Sequence, residues 1–202
     1  AKVLSARGAN LVLAAPPAAM LGELPATIPG KVSVVQMDVG NAASVRAAFD
    51  DVVTRIGTPD ILLNNAGVTI TKPALQQTEE DWDAVIDTNL KGGCLVATGG
   101  ARRLVAAKKP GSIVNTASIL GERVAGAVAP YAISKAGLIQ ATKALALELA
   151  RYDIRVNSLL PGYVATELNR DFLDSESGER LRQRIPSRPF GGVYDLDAPL
   201  LL

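Results

Sequence analysis

Short apolar strands alternate with helices along most of this chain, and this alternation limits the possible folds more than any other feature. Strand-like runs of largely apolar residues occur at positions 11–14, 31–37, 60–63, 112–116 and 154–160. Strands that are apolar at consecutive positions are typical of a parallel sheet covered on both faces. The pattern therefore predicts an α/β fold: a doubly wound, Rossmann-like parallel sheet in three α/β/α layers, forming a single domain.

The helical segments between these strands have recognisable start and stop signals. Apolar residues at 45, 49, 52, 53 and 56 share one face of a helix that ends at Gly57. Thr78, followed by three acidic residues, predicts the start of a second helix that continues to about Lys108. Pro130 stands where a first-turn proline opens a helix to about Arg151. Residues 165–188 are polar with weak periodicity, which fits either a helical flap or a surface excursion.

Polar motifs follow four of the five predicted strands. In open parallel α/β sheets, ligands bind beyond the carboxyl ends of the strands. The sequence therefore predicts a ligand site at this edge, formed by residues that come from distant parts of the chain: Asp38, Asn64-Asn65-Ala66-Gly67, Ser118 and Pro161-Gly162.

A tyrosine and a lysine four residues apart, Tyr131 and Lys135, are the best candidates for proton chemistry. The chain contains no histidine, so the commonest proton-transfer side chain in enzymes is excluded. Residues four apart on a helix lie on the same face, and a nearby ammonium favours the phenolate form of a tyrosine. Tyr131 is therefore a candidate general acid or base. The alternative is that the pair is an ordinary feature of a helix surface.

Charge and cysteine content exclude several classes of function. Twenty-one basic and twenty acidic residues give a net charge of +1, with no basic stripe, which argues against nucleic acid and against an anionic membrane as partners. The single cysteine, Cys94, cannot form an internal disulfide. Without histidine, the chain offers few ligands to a transition metal, so no metal site is predicted. No apolar run is long enough to span a bilayer, and we expect a cytoplasmic protein.

Taken together and in order, these motifs resemble the short-chain dehydrogenase/reductase family over essentially the whole chain. The residues that carry the resemblance are Asp38-Val39, Asn64-Asn65-Ala66-Gly67, Asn89, Ser118, Tyr131-Ala-Ile-Ser-Lys135 and Pro161-Gly-Tyr-Val-Ala-Thr166. The resemblance implies an NAD(P)-dependent oxidoreductase that interconverts a secondary alcohol and a ketone by hydride transfer.

The resemblance also implies four catalytic residues. Tyr131 exchanges a proton with the substrate oxygen, and Ser118 hydrogen-bonds the same oxygen. Lys135 favours the tyrosine phenolate and binds the nicotinamide ribose. Asn89 holds a water that relays protons from Lys135 to solvent; the alternative is that its side chain pairs with helix backbone.

Cofactor residues follow from the same resemblance. For Asp38, the resemblance implies a hydrogen bond to the adenine amino group; the alternative is a role in a turn or as a helix N-cap. For Gly67, the resemblance implies that the cofactor approaches the backbone closely, which the lack of a side chain permits. The full expected set for NAD or NADP is Asp38, Val39, Asn65, Ala66, Gly67, Tyr131, Lys135, Pro161, Gly162, Val164 and Thr166, with Asn64 contributing to the same turn.

The sequence departs from the family pattern at its beginning. The family's glycine-rich turn, which places a pyrophosphate at a helix N-terminus, does not occur in it. We expect that turn upstream of Ala1 together with a mid-sheet strand, which leaves a gap in the sheet, and we expect a last strand beyond the other end. Residues 14–17 contain neither an acidic residue nor an arginine and Glu23 lies too far along, so the pattern does not choose between NAD and NADP.

The substrate is expected to meet residues 119–129 and 168–190. Four apolar residues after Ser118 indicate a partly apolar pocket: Ile119, Leu120, Val124 and Val128. Similar sequences reduce 3-oxoacyl thioesters or interconvert sugars, polyols and ketones, and these substrates stay as alternatives. A second function class is a non-catalytic binding module that keeps the fold. By the same resemblance, a homodimer or homotetramer is expected through the helices that carry Asn89 and Tyr131.

Overall fold

The computed structural model describes residues 1–16, 22, 24–166 and 169–201, which divide into two compact units. The first unit is Ala1–Leu160 and the second is Pro161–Leu202. Some positions covered by the sequence-based expectations lie outside the described residues, namely Pro17, Glu23, Glu167 and Leu168. None of the described helices combines the length and apolar character needed to cross a membrane.

All strands of the first unit that the structure describes run parallel, as predicted. They are β1 (Leu11–Ala15), β2 (Val32–Gln36), β3 (Ile61–Asn64), β4 (Gly111–Thr116) and β5 (Ile154–Leu159). They form two sheets, with the orders β1-β2 and β3-β4-β5. The α/β class is confirmed, and each strand lies within about one residue of its predicted position.

Local sequence explains where the helices of this unit begin. They are α1 (Lys2–Ala6), α2 (Ala42–Arg55), α3 (Glu79–Ile86), α4 (Gly93–Ala106) and α5 (Ala129–Leu149). The Asn41 side chain caps α2 by accepting the N–H groups of Ala43 and Ser44. Thr78 and Asp81 form a reciprocal capping box at α3, as the acidic first turn indicates. Pro130 lies in the first turn of α5.

The helix predicted from Thr78 to about Lys108 is present as one helical run from Glu79 to Ala106, but it is not α-helical throughout. A π-helical segment, Asp87–Gly92, separates α3 from α4. Such a segment bonds residues five apart rather than four, and so accommodates one extra residue per turn. Hydrophobic periodicity alone does not reveal this change, because apolar residues continue on both sides of it. Its consequence is that Asn89 points in a direction that a regular helix would not give it.

Helix α4 packs into both apolar clusters of the first unit. Val96 belongs to a cluster with β2 and α2, whose buried members are Val35, Met37, Val45, Ala48, Phe49 and Val52. Ala97, Ala101 and Leu104 pack with three residues of the second sheet, namely Ile113, Ile154 and Val156. Each large aliphatic side chain that is fully buried contributes about 1.5–3 kcal/mol. Packing into both clusters therefore holds α4 firmly in the core of the first unit.

The second unit is short and mostly helical. It contains α6 (Arg170–Leu173), α7 (Glu176–Gln183) and α8 (Asp197–Leu201), with a 3-10 turn at Val193–Leu196. Val164 and Gly191 form an isolated parallel bridge. The rings of Tyr163 and Phe190 lie 6.5 Å apart between centroids. Of the two alternatives for residues 165–188, the helical one agrees with α6 and α7.

Candidate active site

The first two turns of α5 bring Tyr131 and Lys135 together. The ammonium of Lys135 lies 5.7 Å from the centre of the Tyr131 ring. Lys135 is only 3% exposed, and its Nζ donates a hydrogen bond of 2.6 Å to the carbonyl of Thr116 at the end of β4. A lysine on a free helix surface keeps its ammonium in water. This pair is therefore not an ordinary surface feature, because its cation is turned inward and held.

Burial changes the proton affinity of this lysine. Removing the ammonium from water disfavours its charged form, and this desolvation lowers the pKa of Lys135 from its ordinary value of 10.5 to about 8. A group with this pKa is largely protonated at neutral pH, yet gives up its proton far more readily than a surface lysine. It is suited to tune and resupply a neighbouring proton donor.

Ser118 lies directly after β4, on a turn pressed against α5. It is 7% exposed, and its Oγ accepts the N–H of Leu120 at 3.1 Å, which leaves its own proton available for donation. Three residues on, a Cβ at Gly121 would lie 2.9 Å from the backbone carbon of Lys135 and 3.0 Å from the nitrogen of Ala136. Only glycine permits this approach, which places the serine turn beside α5. Sequence reasoning did not identify Gly121.

Asn89 joins the loop after β3 to the first turn of α5. It is 1% exposed. Its Oδ1 accepts the Val68 N–H at 2.7 Å, while its Nδ2 donates to the Val68 carbonyl at 2.9 Å and to the Ser134 hydroxyl at 3.0 Å. Ser134 in turn donates to the carbonyl of Tyr131 at 2.7 Å. The Asn89 amide thus bonds to the backbone of the loop after β3. The sequence had offered helix backbone as the alternative partner, and the structure does not show that pairing among the described residues. Ser134 is a second residue that sequence reasoning missed.

The last residue of β3 is buried, and the three residues that follow it are exposed. Asn64 is buried, and its Nδ2 donates to the carbonyl of Gly93 at 2.7 Å and to Oδ1 of Asn115 at 3.1 Å. Asn65, Ala66 and Gly67 are exposed. A Cβ at Gly67 would lie 3.3 Å from Asn89 Oδ1 and 3.4 Å from Lys135 Nζ. Because glycine has no side chain, the space beside the lysine ammonium stays open.

The turn after β2 presents Asp38 to solvent. One carboxylate oxygen accepts the N–H of Gly40 at 3.0 Å, and the Asp38 N–H donates to the hydroxyl of Ser44 at 2.9 Å. The Asp38 side chain thus bonds within its own turn, which was the alternative to adenine binding for this residue. Val39 packs against Gly92, where a Cβ would lie 3.0 Å from Val39 Cγ2. The residues after β2 thus contact the same π-helical segment that carries Asn89.

A family model described as enoyl-(acyl carrier protein) reductase matches residues 1–198 of this chain. The chain belongs to the short-chain dehydrogenase/reductase family. Among curated members, 3-oxoacyl-(acyl-carrier-protein) reductase of Staphylococcus aureus is 36% identical over 164 residues, which are 80% of this chain and 65% of the relative. The (3R)-3-hydroxyacyl-CoA dehydrogenase of Mus musculus is 39% identical over 168 residues, covering 83% and 64%. The chain thus spans about 65% of the length of these curated relatives.

Solved structures of the family share the fold. A short-chain type dehydrogenase/reductase from Mycobacterium marinum superposes with a TM-score of 0.92 at 32% identity, covering 100% of this chain and 80% of that one. A gluconate 5-dehydrogenase from Burkholderia cenocepacia, solved with NADP and tartrate, gives a TM-score of 0.91 at 34% identity and covers 98% and 79%. The Rossmann-like, short-chain dehydrogenase/reductase architecture predicted from sequence is confirmed.

The remaining family motif lies in the second unit. Pro161, Gly162, Val164 and Thr166 follow β5 in sequence. Asn169, which sequence reasoning did not single out, holds two of them. Its Oδ1 accepts the Thr166 N–H at 2.8 Å, and its Nδ2 donates to the Val164 carbonyl at 3.0 Å. The cofactor role of this loop stays a prediction from the family resemblance.

Proposed function

We propose that the protein is an NAD(P)-dependent ketoreductase of the short-chain dehydrogenase/reductase family that interconverts a 3-oxoacyl thioester and its 3-hydroxy product. One observation carries the proposal: the buried ammonium of Lys135 is held beside the Tyr131 ring, next to the turn that carries Ser118. A buried cation with a lowered pKa next to a phenol is an arrangement that suits proton transfer.

The residues of the first unit fit a nicotinamide dinucleotide. Two exposed polar groups are available to hydrogen-bond a dinucleotide, namely the carboxylate of Asp38 and the side-chain amide of Asn65. Beside Lys135, the absent side chain of Gly67 leaves room for a ligand to approach the ammonium. The residues proposed to hold the cofactor are Asp38, Val39, Asn65, Ala66, Gly67, Tyr131 and Lys135, with Pro161, Gly162, Val164 and Thr166 added on the family resemblance. When bound, the dinucleotide supplies or accepts the hydride.

The protein's own part in the reaction is proton transfer and orientation. In the direction of reduction, the Tyr131 hydroxyl donates its proton to the carbonyl oxygen of the substrate and is left as a phenolate. The Lys135 ammonium stabilises that phenolate electrostatically. Ser118 donates a hydrogen bond to the same substrate oxygen, since its Oγ already accepts from Leu120. In oxidation, each proton moves in the opposite direction.

The thioester substrate is supported by the relatives and by the loop after Ser118. The two curated relatives act, by their names, on 3-oxoacyl-(acyl-carrier-protein) and on 3-hydroxyacyl-CoA. Residues 119–129 supply apolar side chains, of which Val124 is 92% exposed. A sugar acid is the second candidate, because a 2-dehydro-3-deoxy-D-gluconate 5-dehydrogenase of Escherichia coli is 33% identical over 165 residues.

Replacing Tyr131 with Phe tests the proposed mechanism. The variant loses the proton donor but keeps the ring that faces Lys135, so we expect turnover to fall about 1000-fold, the scale of a lost general acid, with dinucleotide affinity changed less than about threefold. Turnover is measured with a 3-oxoacyl thioester and with a keto sugar acid, each with NADPH and with NADH. Tyr152→Phe, on the 3-10 turn after α5, is the matched control.

Two outcomes contradict the proposal in different ways. Full activity of Tyr131→Phe excludes the tyrosine mechanism. Activity with the keto sugar acid alone moves the substrate to the second candidate. A third result, no change in nicotinamide fluorescence when NADH or NADPH is added, favours the non-catalytic binding module instead.

We further propose a cytoplasmic homodimer or homotetramer without nucleic-acid or membrane partners. The family resemblance supports assembly through α5 and the helix segment that carries Asn89. Two large apolar side chains of α5, Ile133 and Leu147, are 50% and 82% exposed in the single chain, which supports their burial in an assembly. Sedimentation analysis of the protein and of Leu147→Glu tests this: the substitution is expected to shift the assembly towards monomer.

A further inference from the structure

We infer that Asn115 and Thr142 are positioning residues, which set the register of α5 along β4 and thereby the placement of Lys135 and Tyr131. The inference rests on the proposed function only for its kinetic consequence. Neither residue belongs to the proposed catalytic or cofactor set. Both are buried, Asn115 at 0% and Thr142 at 5% exposure.

The apolar surface of α5 does not define one register by itself. Between Ala132 and Leu149 the helix consists mostly of alanine, leucine and isoleucine, which are found on nearly all of its sides. A rotation of about 100° or a shift of about 1.5 Å, the step of one residue, replaces one small or aliphatic side chain by another. Directional bonds are therefore needed to select one arrangement, as single buried polar residues do in coiled coils.

The hydrogen bonds between β4 and α5 supply this direction. Asn115 Nδ2 donates to the Thr142 hydroxyl at 2.9 Å. Thr142 gives its only proton to the carbonyl of Leu138 at 2.7 Å, so its oxygen is left to accept from Asn115. On the other side, Asn115 Oδ1 accepts from Asn64 at 3.1 Å. Each amide thus has a single orientation that satisfies its partners.

The next residue of β4 makes the second attachment. Thr116, adjacent to Asn115, accepts the bond from Lys135 Nζ at 2.6 Å. Lys135 and Thr142 are seven residues apart, nearly two helical turns, so both point from the same face of α5 towards the strand. Two consecutive strand residues therefore hold two points of the catalytic helix. Loss of the Asn115–Thr142 bond leaves, among the described residues, the Lys135 bond as the remaining side-chain hydrogen bond between β4 and α5.

Thr142→Val, which keeps the shape of the side chain and removes its hydroxyl, is the test. We expect kcat to fall about tenfold with the KM of the dinucleotide changed less than about twofold, and Thr142→Ser to restore kcat within about twofold. Thr98→Val is the matched control, since Thr98 on α4 makes the same bond four residues back, to Cys94 at 2.8 Å. Within the described part of the chain, its hydroxyl bonds only to carbonyls of its own helix. The control should leave kcat unchanged.

The NMR resonance of the Lys135 side chain does not depend on turnover and can therefore test this inference independently of the proposed function. In protein labelled with ¹³C,¹⁵N-lysine, the Lys135 side-chain resonance is assigned by its loss in Lys135→Arg. We expect Thr142→Val to shift or broaden it, and Thr142→Ser and Thr98→Val to leave it in place. If the parent reduces no carbonyl substrate, the proposed function fails while this resonance still decides the inference.

An unshifted Lys135 resonance in a folded Thr142→Val protein overturns the inference, as does a loss of kcat that Thr98→Val reproduces. If Thr142→Val does not fold, the double variant Asn115→Val/Thr142→Val removes both polar partners, while Asn64 keeps its bond to Gly93. The double variant is expected to show the same displaced resonance. A native-like resonance in it overturns the inference equally.

Discussion

The polar side chains beside β3, β4 and β5 differ in kind from those beside β2. Asn89, Asn115 and Lys135 are almost fully buried, and each bonds to an element distant in sequence. Asp38 and Asn41 are exposed and bond to backbone within three residues. A buried polar group without a partner costs its whole desolvation energy, whereas an exposed one is solvated by water. The first region therefore combines stability and chemistry in the same residues, while the second can lose a ligand contact without losing the fold.

Asn89→Leu is expected to have the largest effect. It leaves the fully buried Ser134 hydroxyl and the part-buried N–H and carbonyl of Val68 without their partner, and it buries an apolar side chain among them, for a loss of about 3 kcal/mol in the free energy of unfolding. Asn41→Ala, which removes an exposed helix cap, should cost about 1 kcal/mol. Urea unfolding of both variants measures the difference, and equal losses would contradict the comparison.

The pH dependence of the free energy of unfolding tests the burial of the Lys135 ammonium. Between pH 8 and 10.5 the folded protein has lost the Lys135 proton, whereas the unfolded chain, with an ordinary lysine pKa of 10.5, still carries it. The unfolded state then binds more protons, so stability rises with pH across this window, by about 3 kcal/mol from this group. Lys135→Met should lack that rise. The measurement is the difference between parent and variant in urea unfolding at each pH.

Gly121→Ala tests the close approach of the serine turn to α5. Its Cβ would meet backbone atoms of Lys135 and Ala136, which cannot move as a flexible side chain can, and we expect a loss of about 1–2 kcal/mol together with reduced turnover. At Gly126, nothing lies within 4 Å of an added Cβ, so Gly126→Ala serves as the control for thermal unfolding and activity. Identical behaviour of the two variants would show that the turn is not pressed against the helix.

Asp38→Asn should have the smallest effect on folding. The amide oxygen can still accept the Gly40 N–H, so we expect stability to change by less than about 0.5 kcal/mol. A loss of the negative charge should nevertheless weaken dinucleotide binding severalfold in calorimetric titration. A stability loss as large as that of Asn89→Leu would erase the distinction between the two regions.

The parts of the structure that depend on local pattern could be predicted from the sequence. The strands, the start of α3 at Thr78 and the start of α5 at Pro130 follow from apolar runs and capping residues. The pairing of Tyr131 with Lys135 follows from helical spacing. The contacts of Gly121 and Ser134 do not, because each needs a partner brought near by the tertiary fold. A glycine in a loop gives the same local signal whether it faces water or a helix.

The π-helical segment between α3 and α4 also has a consequence for how this chain tolerates insertions and deletions. One extra residue in such a segment rotates the downstream helix by about 100° relative to a regular helix. Deleting a single residue, such as Thr88 beside Asn89, would let the two helices join smoothly while turning the buried face of α4 away from both apolar clusters. Most helices lose little when one exposed residue is removed near an end. In this segment, a substitution at an exposed position such as Lys91 is therefore expected to cost far less than a change in the number of residues.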